Sequence, residues 1–199
     1  TGSSQFAFLR DASESLAGRI GLLALLPFQF SEIRPSRRIK AIAMGSYPEL
    51  VQNNYSNSTE WYSSYLETYL TRDVRSVSNI GDIREFRQCI SLLAARAGQI
   101  VSYSELSRDI GVSVPTIKQW ISVLEASYII FLVRPYFKNF GKRIIKSPKV
   151  YFYDTGLVSY LLGIDSSKTF QLNPLYGNLF ENYVVSEIAK KELHTKSHS

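Results

Sequence analysis

The residues with the most chemistry to offer stand in two neighbouring stretches. In "SVPTIKQWISVL" a helical repeat puts Val114, Ile117, Ile121 and Leu124 on one stripe, flanked by Trp120, and leaves Pro115, Thr116, Lys118, Gln119 and Ser122 facing out. Thr116, Lys118, Gln119 and Ser122 are hydrogen-bonding side chains of the kind that reach base edges in a groove. Further along, Lys138, Lys142, Arg143, Lys146 and Lys149 put five cations into a loop and its edges, the chemistry of phosphate contact. The outward helix face holds one cation and neither Arg nor Asn for bidentate base contacts. The pattern therefore favours contact with the backbone of a duplex over reading of its sequence. A solvated helix face and a lysine-rich hairpin loop would account for the same residues without a ligand.

Catalytic patterns are sparse. The two histidines, His194 and His198, both fall in a polar tail, which gives no basis for an imidazole triad or a metal cage. No Gly-x-x-x-x-Gly-Lys-Ser/Thr loop occurs, so a phosphate cradle of the P-loop type is absent from this sequence and the chain is not expected to hydrolyse nucleotide alone. Asp154 in "YFYDTGL" could be a metal-binding carboxylate at a strand end, but helix capping explains it as well. Glu181 and Glu187 are six apart on a helix, which places them on different faces and argues against a paired acid and base. The single cysteine, Cys89, recurs at helical spacing with apolar neighbours and reads as a buried, inert thiol.

The elements that must position these side chains follow from apolar spacing and capping residues. Ser13 to Gly18 reads as a helical turn or two, and Ile20 to Phe30 as a buried strand, which requires neighbouring strands. "IKAIAMGSYPEL" is a turn between short elements, and Asn53 to Ser58 a polar linker. Tyr62, Leu66, Tyr69, Leu70, Val74 and Val77 line one stripe of a helix from about Thr59 to Val77, with Glu67, Arg72 and Arg75 opposite. Asp82 with Glu85, and Ser102 with Glu105, have the spacing of capping boxes for helices over Ile83 to Ala97 and Tyr103 to Asp109. Ser113 caps a third helix running to Ala126. The sequence then turns β-rich, with "YIIFLVRPYF" and "YFYD" as strands joined by the basic loop. Helix, helix, helix, strand, basic loop, strand is the order of a winged helix, with core residues Ile90, Leu106, Ile117, Ile121 and Leu124. Asp154 caps a further helix to Leu162, and Phe180 to Lys191 forms an amphipathic last helix.

Composition sets the outer bounds. The chain has 199 residues, 45% hydrophobic, with 23 basic and 17 acidic residues leaving a net charge of +6. That suffices for one domain or two small ones, and the charge is spread too evenly to mark a basic arm. The longest apolar runs fall far short of the roughly 20 residues of a membrane helix. No membrane partner is expected, and a cytoplasmic location fits the lone cysteine. The opening Thr-Gly-Ser-Ser lacks an initiator Met, as a fragment or processed chain would.

Several blocks together carry a family resemblance. They are "TGSS", "SESLAGRIGLLALLPFQFSEI", "MGSYPEL", "YLETYLTRDVRSV", "AGQIVSYSELSRDIGVSVPTIKQWISVLEASYIIFLVRPY", "KSPKVYFYDTGLVSYLLGI" and "GNLFENYVVSEI", covering Thr1 to about Ile188. In this order they resemble the C-terminal two thirds of a group of bacterial and archaeal predicted AAA-type ATPases, whose P-loop core is followed by a winged helix and a nuclease-like region. The resemblance implies a mainly α protein with small β content (α+β), divided at residues 1–57 (end of the ATPase core and lid), 58–81 (connecting helix), 82–153 (winged helix-turn-helix) and 154–199 (start of a truncated nuclease-like domain). It implies that Thr1, Ser3 and Ser4 sense a nucleotide phosphate. Arg19 takes the place of an arginine finger, with Arg72 and Arg75 as weaker alternatives; a helix C-terminal charge explains Arg19 equally well. Glu181 in "LFEN" matches the first acid of the nuclease-like region, whose later acids and lysine have no counterpart before "KKELHTKSHS". No cofactor is expected for this chain itself, whereas ATP and magnesium are implied for full-length relatives. The resulting expectation is a regulatory and interaction region whose winged helix contacts duplex DNA. A free-standing winged-helix protein is the alternative, as is a protein-protein or self-association joint in which Trp120 lies near an exposed edge.

Overall fold

The computed structural model describes residues 24–69, 82–136 and 147–196. Short apolar stretches cut by Gly, Pro and Asn make short helices, and these come first. After two single 3-10 turns, Phe30–Glu32 and Pro35–Arg37, the chain forms α1 (Arg38–Met44), α2 (Pro48–Gln52) and α3 (Ser58–Thr68). The expected turn between short elements is therefore present, at Gly45 to Tyr47. Asn53 to Asn57 is not a loose linker. Asn54, Tyr55 and Asn57 adopt left-handed backbone, and Tyr55 is buried, its hydroxyl donating to the Gly45 carbonyl at 3.1 Å. Burial of a large ring offsets the strain of positive φ at a non-glycine residue.

The expected strand over Ile20 to Phe30 does not appear in its described part. Ala24 to Gln29 lies outside any helix or strand, Leu25 is 98% exposed, and Phe28 N–H bonds to the Ser46 carbonyl at 2.8 Å. A buried strand needs a ladder partner on the sheet, and among the described residues this segment has none. The preceding residues, and those of the long helical pattern beyond Tyr69 (Leu70, Arg72, Val74, Arg75 and Val77), lie outside the described residues.

The middle of the chain folds as its spacing requires. α4 (Ile83–Ala95), α5 (Tyr103–Ile110) and α6 (Val114–Ala126) are followed by β1 (Ile130–Val133) and β2 (Lys149–Phe152). Phe86, Ile90, Leu93, Leu106, Ile117, Ile121 and Leu124 meet in one buried core, with Cys89 inside it. Burial pushes the Cys89 thiol up to about 12, as expected of an inert core cysteine. Asp82 caps α4 by accepting from Arg84 N–H, and Ser102 caps α5 by accepting from Glu105 N–H. In both, the cap itself forms, while the returning bond from Glu85 or Glu105 that would complete a capping box does not. Gly111, with φ of 88°, makes the left-handed turn into α6.

β1 and β2 pair antiparallel from Ile130 opposite Phe152 to Val133 opposite Lys149. A third segment joins them that apolar alternation does not announce. Gly98 N–H bonds to Val150 O, Val150 N–H to Gln99 O, and Val101 N–H to Pro148 O, with Ile100 bridged to Lys149. Gly98, with φ of 74°, also lets the Asn178 backbone come close, since a Cβ at this position would lie 3.2 Å from the Asn178 carbonyl oxygen.

The chain closes with α7 (Thr155–Leu161), α8 (Ser167–Leu172) and α9 (Tyr176–Lys196). α9 is longer than the Phe180 to Lys191 that its periodicity indicates, and its buried face is not its most apolar one. Leu179, Asn182, Tyr183, Ser186 and Lys190 are buried, while Tyr176, Phe180, Val184 and Ile188 are exposed. The polar residues on the inner face have partners that hold them there. Asn182 accepts from Phe152 N–H at 2.8 Å and donates to Phe152 O at 3.2 Å, continuing the sheet edge with a side-chain amide.

Candidate nucleic-acid interface

α6 is fixed at its N-terminal end. Ser113 Oγ accepts from Thr116 N–H at 3.3 Å, Pro115 sits in the first turn where its missing donor costs nothing, and Ser107 Oγ donates to Val112 O across the turn. With Ile117, Trp120, Ile121, Val123 and Leu124 turned into the core, Lys118, Gln119 and Ser122 are exposed on the other side. Thr116 is half-buried and its hydroxyl lies 2.7 Å from Ser113 Oγ, so it belongs to the cap as much as to the outer face. Trp120 is not near an exposed edge. It is 2% exposed and meets Phe86 edge-on at a centroid distance of 5.5 Å. Its ring needs more covering than one face of α6 can give, and α4 supplies it. The protein-joint reading thereby loses the residue that motivated it.

At the hairpin base, Lys149 lies in β2 rather than in the loop. Its ammonium donates to Glu181 Oε1 at 2.7 Å, and Tyr151 donates to the same oxygen at 2.6 Å. These two bonds hold the Glu181 carboxyl below its ordinary range. Lys149 is thus already paired, which removes one of the five cations from any phosphate contact. Lys138, Lys142, Arg143 and Lys146 lie outside the described residues, as do Thr1, Ser3, Ser4 and Arg19. Arg134, at the exit of β1, is exposed and was not singled out by the sequence pattern. Only its place beside the basic run could have flagged it.

Asp154, Glu181 and Glu187 are each bonded to different protein groups. Asp154 caps α7 through Leu157 N–H at 2.9 Å, but it does more. Its Oδ2 accepts from Ser46 N–H at 2.7 Å, and its Oδ1 accepts from the Tyr62 hydroxyl at 2.5 Å. Burial, followed by the Asp154 charge, pushes the Tyr62 phenol well above its usual range, so Tyr62 stays a donor. Both oxygens of Asp154 are occupied by protein, and among the described residues no cluster of three His, Cys, Asp or Glu could hold a metal. Glu187 lies at a separate place, bonded to Lys190 at 2.9 Å and to Phe30 N–H at 2.6 Å. His194 is not in a loose tail: its Nδ1 lies 2.5 Å from Gln29 Nε2. The cavity between Tyr62, Gly156, Ser159 and Ile164 has room for about one water and is too small for a metabolite.

The described residues define a mainly helical α+β protein with a small antiparallel sheet. Among them no helix is long and apolar enough to cross a membrane. Residues 37–168 match the model of a family described as Domain of unknown function (DUF8612), and because this match spans well over half of the chain, the protein belongs to that family. Two curated relatives are each 32% identical over 179 residues: Uncharacterized protein Mb2031c of Mycobacterium bovis and Uncharacterized protein Rv2008c of Mycobacterium tuberculosis. The alignment covers 89% of this chain and 41% of each relative, so the chain spans less than half the length of the proteins it matches. No solved structure matches it.

Proposed function

We propose that this chain is a regulatory and interaction region of an AAA-type ATPase, and that its winged helix contacts duplex DNA through the phosphate backbone with little sequence preference. The observation that carries the reading is the division of α6. One face supplies the core, and the other exposes Lys118, Gln119 and Ser122, while the sequence between the antiparallel β1 and β2 holds Lys138, Lys142, Arg143 and Lys146. Arg134 adds a cation at the hairpin base. The side chains on α6 can accept or donate single hydrogen bonds but cannot make the forked contacts that discriminate bases strongly. ATP and magnesium would belong to a nucleotide site that this chain does not complete alone. Against a free-standing winged-helix protein stands the packing of α1 and α3 onto α7 through buried Asp154.

Fluorescence anisotropy of labelled duplexes across a salt series tests the reading. Affinity should fall steeply with salt as counterions are released. Changing Lys142, Arg143 and Lys146 together to Ala should weaken binding to all sequences alike, and should flatten the slope of log K against log salt by about 2–3. Gln119→Ala should change affinity much less. Absence of binding by the wild-type chain at low salt, or an unchanged slope in the triple variant, would remove the nucleic-acid function.

A further inference from the structure

A lysine is among the most deeply buried side chains of the protein. Lys190 is 1% exposed, in the C-terminal half of α9. Its ammonium donates to the Phe28 carbonyl at 3.1 Å and to Glu187 Oε1 at 2.9 Å. Glu187 in turn accepts from Phe30 N–H at 2.6 Å, and Gln29 reaches His194 one turn further on. The whole Phe28–Phe30 segment is therefore clasped by polar groups on a single helix. A lysine is kept in such a place only with partners, because an ammonium alone in the interior costs several kcal/mol.

The other half of α9 grips a different part of the molecule in the same manner. Asn182 is fully buried and holds both backbone groups of Phe152, and Glu181 holds Lys149 and Tyr151. Asn182 and Lys190 are eight positions apart, about 12 Å along one helix. A second line of bonds closes the loop. Phe28 N–H is bonded to Ser46 O, and Ser46 N–H to Asp154, two residues beyond the end of β2. The Phe28–Phe30 segment and the base of the hairpin are thus tied to each other twice, once through α9 and once through Ser46 and Asp154.

We propose that α9 is a strut which passes displacement of the Phe28–Phe30 segment to the base of the β1–β2 hairpin, with the pair of buried Lys190 and half-buried Glu187 as its releasable end. A rigid helix pinned at both ends by directional bonds moves as a unit, so losing one clasp shifts the register of the other. A buried ion pair suits this role because its contribution lies in fixing one arrangement rather than in net stability. Its regulatory meaning, control of how the hairpin and α6 engage DNA, rests on the reading proposed above; the mechanical coupling does not.

Amide hydrogen exchange on the full chain separates the two. In Lys190→Met, exchange at Phe28 and Phe30 should accelerate, and exchange at Phe152, whose N–H is bonded only through α9's Asn182, should accelerate about tenfold as well. Leu106 and Ile117, in the helical core, should stay at wild-type rates. By reciprocity, Asn182→Ala should accelerate Phe30. The double variant Lys190→Met/Glu187→Gln leaves no charge buried alone and should show the same pattern as Lys190→Met. Response at Phe28 and Phe30 without Phe152 would overturn the strut, as would uniform acceleration that includes Leu106 and Ile117, or failure of both Lys190 variants to fold. Duplex binding is the second arm. Lys190→Met should change affinity at least about threefold, although Lys190 is buried and lies outside α6 and the hairpin. If the wild type binds no duplex, the DNA reading falls and the exchange pattern alone decides the strut.

Discussion

Asp154→Ala is expected to cost about 3–5 kcal/mol of folding stability, a large part of the roughly 5–15 kcal/mol that holds a domain together. The substitution removes the acceptor of three donors at once: Ser46 N–H, Leu157 N–H and the Tyr62 hydroxyl, of which the hydroxyl alone keeps a second acceptor, the Met44 carbonyl at 3.3 Å, and the two amides are stranded. All three lie in the interior, where an unsatisfied donor carries its full desolvation cost. It also removes the cap of α7, for which a loss of about 1 kcal/mol would be ordinary. Asp154→Asn discriminates between the two roles. With its amide oxygen in place of Oδ1 it keeps the cap and the Tyr62 bond, but its NH2 then faces Ser46 N–H, donor against donor, and should cost about 2 kcal/mol. Urea denaturation of both variants would show this order. Equal, small losses near 1 kcal/mol would mean that Asp154 is a cap and nothing else.

Gly156→Ala should destabilise by about 2–4 kcal/mol, although helix propensity alone favours Ala over Gly by up to about 1 kcal/mol. The reason is the close approach of α1 and α7. A Cβ on Gly156 would overlap the Tyr62 hydroxyl and the Met44 carbonyl, and would lie 2.5 Å from Gly45 Cα. Tyr62 cannot yield, since its hydroxyl is fixed by Asp154, and the other two obstacles are backbone. Gly177, near the start of α9, is the matching control, because nothing lies within 4 Å of a Cβ there. Gly177→Ala should be neutral or stabilising by up to about 1 kcal/mol. Thermal melts of the two variants should therefore move in opposite directions. A stable Gly156→Ala protein would mean that α1 and α7 are not in this contact.

The parts of the fold legible in the sequence are those governed by local rules. The stripes of α4, α5 and α6, their N-cap residues and the left-handed Gly111 are set by spacing within one helix, and each appears where the spacing puts it. Residues whose role depends on distant partners could not be read in that way. Asp154 looked like a cap because its capping partner is three residues away, whereas its other two partners, Ser46 and Tyr62, are remote in sequence. The last helix read only as amphipathic from Phe180 to Lys191, and it is the Phe152 backbone and the Phe28 carbonyl, both remote in sequence, that hold Asn182 and Lys190 on its inner face. Lys149 read as a free cation until Glu181 was found beside it. The apolar run before Phe30 read as a strand because composition does not reveal whether a ladder partner exists. On the outer face of α6 the sequence identified the exposed residues, apart from the share of Thr116 taken by its cap.

The measurement that bears most directly on the proposed function is a titration of the full chain with a short duplex at low salt, followed through backbone amide chemical shifts. Contact through the winged helix predicts shifts concentrated at Lys118, Gln119 and Ser122 and at Arg134, Lys138, Lys142, Arg143 and Lys146, nearly the same for duplexes of unrelated sequence and reversed by added salt. Shifts confined to the exposed α9 stripe of Tyr176, Phe180, Val184 and Ile188, or no shifts at all, would contradict it.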